Sequence, residues 1–315
     1  AAAEAADAGA KVLLVDENMQ LGGSLTFERC APAGSDRAQH LRELWQKVEG
    51  RREITIMSDA VCNAWHADNW MPVVKGNRLY KVRAKEIVIA TGSFEQPVTF
   101  RNNDLPGIML ASAAQRLIKH FAIRPGKRAV VLTCNSQGYG AALDLTDADV
   151  DVIAIVDPRP DGGAGRFADE IRSAGIKILR GHGIREAEGT KRNRHVQRVF
   201  AAPLIDGATA YSDKGIWLRC DHVSVSGGYM PVYQLPVQAG AKLNYNDDTA
   251  LFSINQLPRH AHLAGSVNGT FDVAALENDG RRAGRQVAQA LGLPVAETVL
   301  PELAPEIEAV NFPWP

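Results

Sequence analysis

The feature that most constrains the fold of this chain is a short apolar strand that ends in two carboxylates. A predicted helix from Ala1 to Ala8 is followed by the strand Lys11 to Val15, which stops at Asp16 and Glu17. A helix that leads into a buried strand is half of a βαβ unit. In dinucleotide-binding units the acidic residue at this strand end binds the adenosine ribose and repels a 2′-phosphate. Asp16 or Glu17 therefore suits NAD or FAD better than NADP, the plain alternative being a surface strand with an acidic end.

Glycines mark two further places where backbone can approach a cofactor. Gly22 and Gly23 follow the acidic pair, and the apolar strand Glu86 to Ala90 ends in Thr91-Gly92. Glycine allows this close approach because it carries no side chain. Since the sequence opens inside an apparent helix, we expect the true N-terminus, with the glycine turn that precedes such a helix, to lie upstream.

A second unit of the same design follows. Its predicted parts are a strand, a tight turn, a helix and a second strand that ends in an acid: Gly126 to Leu132, Thr133 to Gly138, Tyr139 to Thr146, and Val152 to Val156 before Asp157. The segment Cys220 to Gly228 repeats the layout of 86–92, and a long helix starting at Thr270 or Asp272 returns to the first unit.

These elements predict an α/β fold with two Rossmann-like, glutathione-reductase-like dinucleotide-binding domains, the second inserted into the first. Residues 1–115 form the N-terminal part of the first domain. Residues 116–228 form the inserted domain. Residues 229–315 complete the first domain and include a C-terminal tail.

Two departures from dinucleotide fingerprints decide which unit holds a nucleotide. The second turn reads Thr133-Cys-Asn-Ser-Gln-Gly138 where G-x-G-x-x-G is expected, so side chains replace its first two glycines. We therefore predict that the second unit is structural and empty. In the first unit the flavoprotein signature A-G-D reads Ala264-Gly265-Ser266, and the missing aspartate weakens FAD.

Composition excludes several classes of function. Lys plus Arg total 35 against 36 Asp plus Glu, and no apolar run approaches the ~18 residues of a membrane span, so neither nucleic acid nor a membrane is expected as a partner. The cysteines form no C-x-x-C pair and fit a cytoplasmic location; they are Cys30, Cys62, Cys134 and Cys220. The eight histidines are scattered, and we predict neither a metal site nor a catalytic constellation.

Several motifs together resemble the alpha subunit of heterotetrameric sarcosine oxidase. They are Gly22-Gly-Ser-Leu25, Ala90-Thr-Gly-Ser-Phe-Glu-Gln-Pro97, Phe100 to Ala113 with its Asn-Asp-Leu-Pro-Gly element, and Ser226-Gly-Gly-Tyr-Met-Pro231. The resemblance covers essentially the whole chain and extends to subunits of opine oxidases and hydrogen cyanide synthase.

The resemblance implies an oxidoreductase function carried out with partners. This chain would bind NAD, while a beta subunit would carry FAD, with a covalent FMN near the subunit boundary, in a heterotetramer. The whole complex would demethylate sarcosine to glycine with H2O2 and pass a one-carbon unit to tetrahydrofolate through a domain that this sequence lacks. Amine chemistry is thus expected on the partner, and no catalytic residue is assigned here.

The cofactor-binding residues predicted for the first unit lie at four places in the sequence. They are Asp16, Glu17, Asn18, Gly22, Gly23, Ser24, Val61, Ala90, Thr91, Gly92, Gly265, Thr270 and Phe271. Two rival functions stay open: a stand-alone FAD- and NAD(P)H-dependent enzyme of the disulfide-reductase type, which would need intact glycine loops and a C-x-x-C, and a noncatalytic scaffold subunit.

Overall fold

A computed structural model describes residues 1–29, 36–190, 194–247 and 250–295. Cys30 and the predicted C-terminal tail beyond residue 295 lie outside the described residues. No helix within these ranges combines the length and the apolar composition that crossing a bilayer requires.

The first part of the chain alternates helices and short strands. Its elements are α1 (Ala2–Asp7), β1 (Val12–Val15), α2 (Arg37–Gln46), β2 (Ile54–Met57), β3 (Val61–Cys62), β4 (Trp70–Lys75), β5 (Arg78–Arg83), β6 (Ile87–Ile89) and β7 (Ser93–Glu95). Strands β1 and β2 pair in parallel, and β3, β4 and β5 form an antiparallel meander. Asp36 begins α2 because its carboxylate accepts hydrogen bonds from the free amides of Ala38 and Gln39.

The middle of the chain builds the larger sheets. Its elements are β8 (Ile108–Leu110), α3 (Ala111–Phe121), β9 (Arg128–Thr133), α4 (Ser136–Asp147), β10 (Asp151–Asp157), α5 (Arg166–Ser173), β11 (Ile178–Arg180), β12 (His182–Gly189), β13 (Val196–Ile205), β14 (Ala210–Tyr211), β15 (Ile216–Arg219) and β16 (His222–Ser226). Five strands pair in parallel in the order β11-β10-β9-β16-β8, while β12 to β15 form an antiparallel sheet.

The last part of the chain returns to the first. Its elements are β17 (Tyr229–Pro231), α6 (Gln234–Gln238), β18 (Lys242–Asn246), β19 (Leu251–Gln256), β20 (Ala261–Leu263) and α7 (Val273–Ala290). Strand β17 pairs with β7, and β20 pairs in parallel with β6. Helix α7 starts after Asp272, whose side chain accepts from the amide of Ala275, and it packs against α1.

The predicted fold class is confirmed, since both units show parallel strands connected by helices. The domain division stays a prediction, and one strand bears on its boundary. Strand β8 lies before residue 116, yet it pairs with β16 in the five-stranded sheet. Strand β8 has only three residues, and its partner lies more than one hundred residues further along the chain. A sequence pattern this short cannot predict that pairing.

The main core fills the space between the five-stranded sheet and the antiparallel sheet. Val130, Leu132 and Val223 on the parallel strands pack with Ile184 and Val199 on β12 and β13, and all five are fully buried. A second cluster on the other face of the parallel sheet packs Ile155 and Val131 against α4 and α5. Sheet faces covered on both sides explain the continuous apolar runs of β9 and β10.

A buried histidine ties β16 to the turn before β8. His222 is fully buried, with Nδ1 lying 3.0 Å from the Gly107 carbonyl oxygen and Nε2 2.8 Å from the Ser224 hydroxyl. Burial lowers the pKa of His222 from 6.5 to about 4. Between these two values the unfolded chain binds a proton that the folded chain does not.

We therefore expect the folded state to lose stability as the pH falls from 6.5 towards 4, by on the order of 1 kcal/mol per pH unit from this group. Urea unfolding of the wild type and of His222→Gln at pH 7 and pH 5 tests this. The glutamine variant should lose less stability on acidification. An equal loss in the two proteins would show that His222 is not the titrating group.

Candidate functional site

A large cleft runs between the first unit and helix α3. It encloses about 2570 Å³, which exceeds the usual volume of a small-molecule site. One region is bounded by β1 and β6, each of which has one hydrogen-bonded neighbour strand within the described chain. That region offers sheet edges and apolar side chains. The other region, past the carboxyl ends of the two strands, includes the polar side chains of Glu17, Asn18 and Ser24, and it is the part that suits a nucleotide.

The acidic pair lies at the carboxyl end of β1, on the cleft. Asp16 is held in place: its backbone bonds to Met57 and Ala60, and its Oδ1 accepts from the backbone amide of Asn18 at 2.8 Å. Glu17 is exposed and lines the cleft beside it, as does Asn18. Of the two carboxylates, Glu17 is therefore the one that can turn to a ligand without breaking a turn.

The two glycines of the pair, Gly22 and Gly23, have different roles. A Cβ on Gly22 would lie 2.7 Å from Leu41 Cδ1, so this glycine lets α2 pack against the turn. Gly23 has a φ of +53° and no atom within 4 Å of the Cβ position, and it lines the cleft with Ser24. The turn is fixed from behind, because Arg37 donates to the Leu25 carbonyl at 2.6 Å. Gly23 can therefore receive a ligand against its backbone.

The strand end at β6 forms the facing wall. Ala90, Thr91 and Gly92 line the cleft, and a Cβ on Gly92 would meet only Ser266 Oγ, at 3.7 Å. The Thr91 hydroxyl donates to the Val232 carbonyl at 2.7 Å, which fixes this loop. Val61, on β3, is 46% exposed and also lines the cleft.

The cleft does not include every residue that was predicted to bind the cofactor. Phe271 lines the cleft, but Gly22, Gly265 and Thr270 do not. The amide of Gly265 already donates to Asp279 Oδ2 at 2.7 Å, so it is not free for a phosphate. Contact between these three residues and a nucleotide stays a prediction that the geometry does not favour.

The turn of the second unit is filled by its own side chains. Asn135 is 2% exposed, and its Oδ1 accepts from the Gly138 amide and from the Ser226 hydroxyl, both at 3.2 Å. The Thr133 hydroxyl donates to the Asn135 carbonyl at 3.0 Å. A Cβ at Gly138 would lie 2.1 Å from Thr133 Oγ1. The Asn135 side chain therefore occupies the turn where a dinucleotide fingerprint has a glycine.

The acidic residue that ends β10, Asp157, also has its hydrogen-bond partners within the protein. Asp157 is fully buried, and its Oδ2 accepts from the Tyr139 hydroxyl at 2.7 Å and from Arg159 at 2.8 Å. Tyr139 in turn accepts from the Gly163 amide at 2.9 Å. The position that would bind a ribose is thus closed by protein groups, which supports the prediction that the second unit is empty.

Sequence reasoning missed the wall that α3 contributes. Glu28 and Glu95 line the cleft although they are only 7% and 6% exposed, and Arg116 lies beside them. Glu95 Oε2 accepts from the Ser112 amide at 2.7 Å, at the start of α3. Glu95 stands inside the motif that carries the resemblance, which is the one sequence signal that could have drawn attention to it.

Burial raises the pKa of both carboxyl groups. Burial, followed by the negative charge of Glu95, raises the pKa of Glu28 to about 8, against an opposing effect of Arg116. Burial likewise raises the pKa of Glu95. The Arg116 guanidinium also stacks 4.4 Å from the centre of the Phe27 ring.

An ionic network joins the two units behind this wall. Asp144 on α4 has a side chain only 2% exposed, and it contacts Lys119 at 2.9 Å, Arg29 at 3.4 Å and Gln115 at 2.7 Å. Arg29 follows the cofactor turn of the first unit and also pairs with Asp147. The network therefore fixes the end of the turn against α3 and α4.

Comparison with known proteins finds subunits of oxidases similar to this chain. It is 30% identical to the alpha subunit of sarcosine oxidase from a Corynebacterium species over 99% of this chain, and 26% identical to an opine oxidase subunit from Agrobacterium tumefaciens over 80%. The first match covers 35% of that relative and the second 54%. The motif-based resemblance is confirmed, and the chain spans about a third of the sarcosine oxidase subunits. No family model matches.

A solved structure supports the fold alone. Thioredoxin reductase from Lactococcus lactis superimposes with a TM-score of 0.70 at 15% identity, covering 92% of this chain and 94% of the reductase. Shared architecture at this identity carries no information about substrate.

Proposed function

We propose that this homologue of the sarcosine oxidase alpha subunit is the NAD-binding part of an amine-oxidising flavoprotein complex. NAD would occupy the first unit, with Glu17 or Asp16 on the adenosine ribose and Gly23 and Ser24 beside the pyrophosphate. A partner beta subunit would carry FAD and FMN in a heterotetramer and oxidise sarcosine. Transfer of the one-carbon unit to tetrahydrofolate would use a domain outside this sequence.

One observation carries the proposal: the first unit presents its acidic strand end to the cleft, while the acidic residue at the corresponding strand end of the second unit is closed off by protein groups. Glu17 is exposed on the cleft, whereas Asp157 is fully buried and accepts from Tyr139 and Arg159. A dinucleotide bound by this chain therefore belongs to the first unit.

The choice of NAD rests on two side chains. A carboxylate at the end of β1 disfavours the 2′-phosphate of NADP. Ser266 lines the cleft where the flavoprotein signature has an aspartate, and this weakens FAD. When bound, NAD would supply a ring that accepts or releases a hydride, and the residues of this chain would bind and orient it.

The disulfide-reductase alternative lacks its reactive pair. Cys62 and Cys134 are far apart in the sequence, and neither they nor the other cysteines form a C-x-x-C. Burial raises the pKa of Cys62 as well, which opposes thiolate chemistry. A noncatalytic scaffold subunit would bind no nucleotide, so a nucleotide-binding measurement decides between the scaffold alternative and the proposal.

Replacing Glu17 with alanine should weaken NAD binding about tenfold or more, because hydrogen bonds between a carboxylate and ribose hydroxyls are lost. Isothermal titration of nucleotide-free protein measures the change. Asn135→Ser, which keeps a helix-capping hydroxyl in the second turn, is the matched control and should bind as the wild type does. If Asn135→Ser loses NAD while both Glu17→Ala and Asp16→Ala retain it, NAD occupies the other unit.

A further inference from the structure

Helix α2 contacts the glycine turn of the first unit along one face. The contacting residues recur at every fourth position and are Arg37, Leu41 and Trp45. The Trp45 indole donates to the Leu21 carbonyl at 2.8 Å. The Arg37 guanidinium donates from Nη1 to the Leu25 carbonyl at 2.6 Å. Leu41 fills the space that the first glycine of the turn leaves open, so the helix fixes the turn at both ends.

The charge of Arg37 is not matched by an acid of the chain. The Leu25 carbonyl is its one hydrogen-bond partner within the part of the chain that the structure describes, and no ion pair joins it to a carboxylate there. The neighbouring acid, Asp36, instead accepts from the backbone amides of Ala38 and Gln39. A guanidinium carries five N–H donors in a planar fork, and one carbonyl oxygen uses one of them. The others are available to a ligand.

Two other arginines of the chain show the opposite arrangement. Beside the strand end of the second unit, Arg159 donates to Asp157 at 2.8 Å. Just after the glycine turn, Arg29 pairs with Asp144 at 3.4 Å. Both cations are neutralised by acids of the protein itself. Arg37 is also partly buried, and a partly buried cation that lacks an internal partner favours an anion from outside the chain.

The position of Arg37 indicates which anion it would meet. Arg37 lines the cleft together with Gly23 and Ser24. No atom lies within 4 Å of the Cβ position of Gly23, so a ligand can lie directly against the backbone of the turn. Arg37 is bonded to the same turn two residues further on, at Leu25. A ligand group against Gly23 therefore has a guanidinium beside it, and guanidinium groups bind phosphate oxygens through two parallel hydrogen bonds.

We propose that Arg37 binds a phosphate group of the dinucleotide in the first unit, through the N–H groups that the Leu25 carbonyl leaves unused. The inference rests on the proposed NAD site and adds the cation that neutralises its pyrophosphate. Because Nη1 is already bonded to the turn, little side-chain freedom is lost when the ligand binds. A lysine at this position would keep the charge but could not bond to the turn and to two phosphate oxygens in the same fork.

Titration of the full chain with NAD, ADP-ribose and adenosine tests the proposal, because adenosine has the same base and ribose without phosphate. Arg37→Gln should weaken NAD and ADP-ribose about tenfold or more and leave adenosine, measured in competition with NAD, unchanged. Arg37→Lys should lie between the two proteins. Added NaCl should weaken NAD binding more steeply in the wild type than in Arg37→Gln. Lys47→Gln removes an exposed cation at the other end of α2 and is the control, which should bind all three ligands as the wild type does.

The outcomes separate the two claims. If Arg37→Gln weakens adenosine as much as NAD, Arg37 only fixes the turn, and the phosphate contact is overturned while the NAD site stands. Unchanged NAD affinity in Arg37→Gln, or the same salt dependence as in the wild type, overturns it as well. If the wild type binds none of the three ligands, the NAD site and the phosphate contact both fall. Should Arg37→Gln not fold, Arg37→Lys decides: a loss confined to NAD and ADP-ribose supports the contact, and an equal loss for all three ligands contradicts it.

Discussion

Asp144→Ala is expected to lower the free energy of unfolding by about 3–5 kcal/mol, because removing one partner of a buried ionic network leaves the others uncompensated. The side chain of Asp144 is 2% exposed and bonds to Lys119, Arg29 and Gln115. Gln115 is itself 3% exposed, so its amide would lose its acceptor away from water.

Urea unfolding at neutral pH measures this loss, and Asp147→Ala provides the matched control. Asp147 pairs with the same arginine from the same helix, but its side chain is 57% exposed. Exposed ion pairs contribute about 0–1 kcal/mol, so the control should change little. Equal effects of the two substitutions would contradict a buried network that fixes the cofactor turn against α4.

The second large effect is expected at the filled turn. Gly138→Ala places a methyl group 2.1 Å from the Thr133 hydroxyl oxygen and 2.3 Å from its Cβ, and Thr133 is fully buried. The start of α4 must then move away from β9, at a cost of about 3 kcal/mol in unfolding free energy, as is usual for overpacked cores.

Gly140→Ala, two residues further along α4, separates this clash from the general effect of alanine in a helix. Its Cβ would meet Phe167 at 3.4 Å, and alanine favours a helix over glycine by about 1 kcal/mol. The control should therefore retain or gain stability. If Gly138→Ala is as stable as Gly140→Ala, the second turn has more space than the structure shows.

Local sequence patterns predicted the parts of the fold that depend on local chemistry. The strand from Val12 to Val15, the turn before Gly138 and the helix that starts after Asp272 follow from apolar runs, turn residues and a helix cap. The two residues that replace the lost glycines of the second turn, Thr133 and Asn135, hydrogen-bond within that turn, and the absence of a nucleotide there stays a prediction.

Patterns did not reveal groups that meet only in the folded chain. Glu28, Glu95 and Arg116 come from a loop, a three-residue strand and a helix, and no spacing in the sequence links them. A contact of Gly22 with the cofactor stays a prediction, and its missing side chain also makes room for Leu41. A glycine pair shows that the backbone needs space without showing which neighbour uses it.

The most direct test of the central claim is to identify the nucleotide that purified protein releases on denaturation. Mass spectrometry of the released material, quantified against protein concentration, should find NAD at one molecule per chain and no NADP. Release of FAD from the isolated chain would contradict the assignment that rests on Ser266. Protein that carries no nucleotide and binds none of the added NAD would leave the scaffold function in its place.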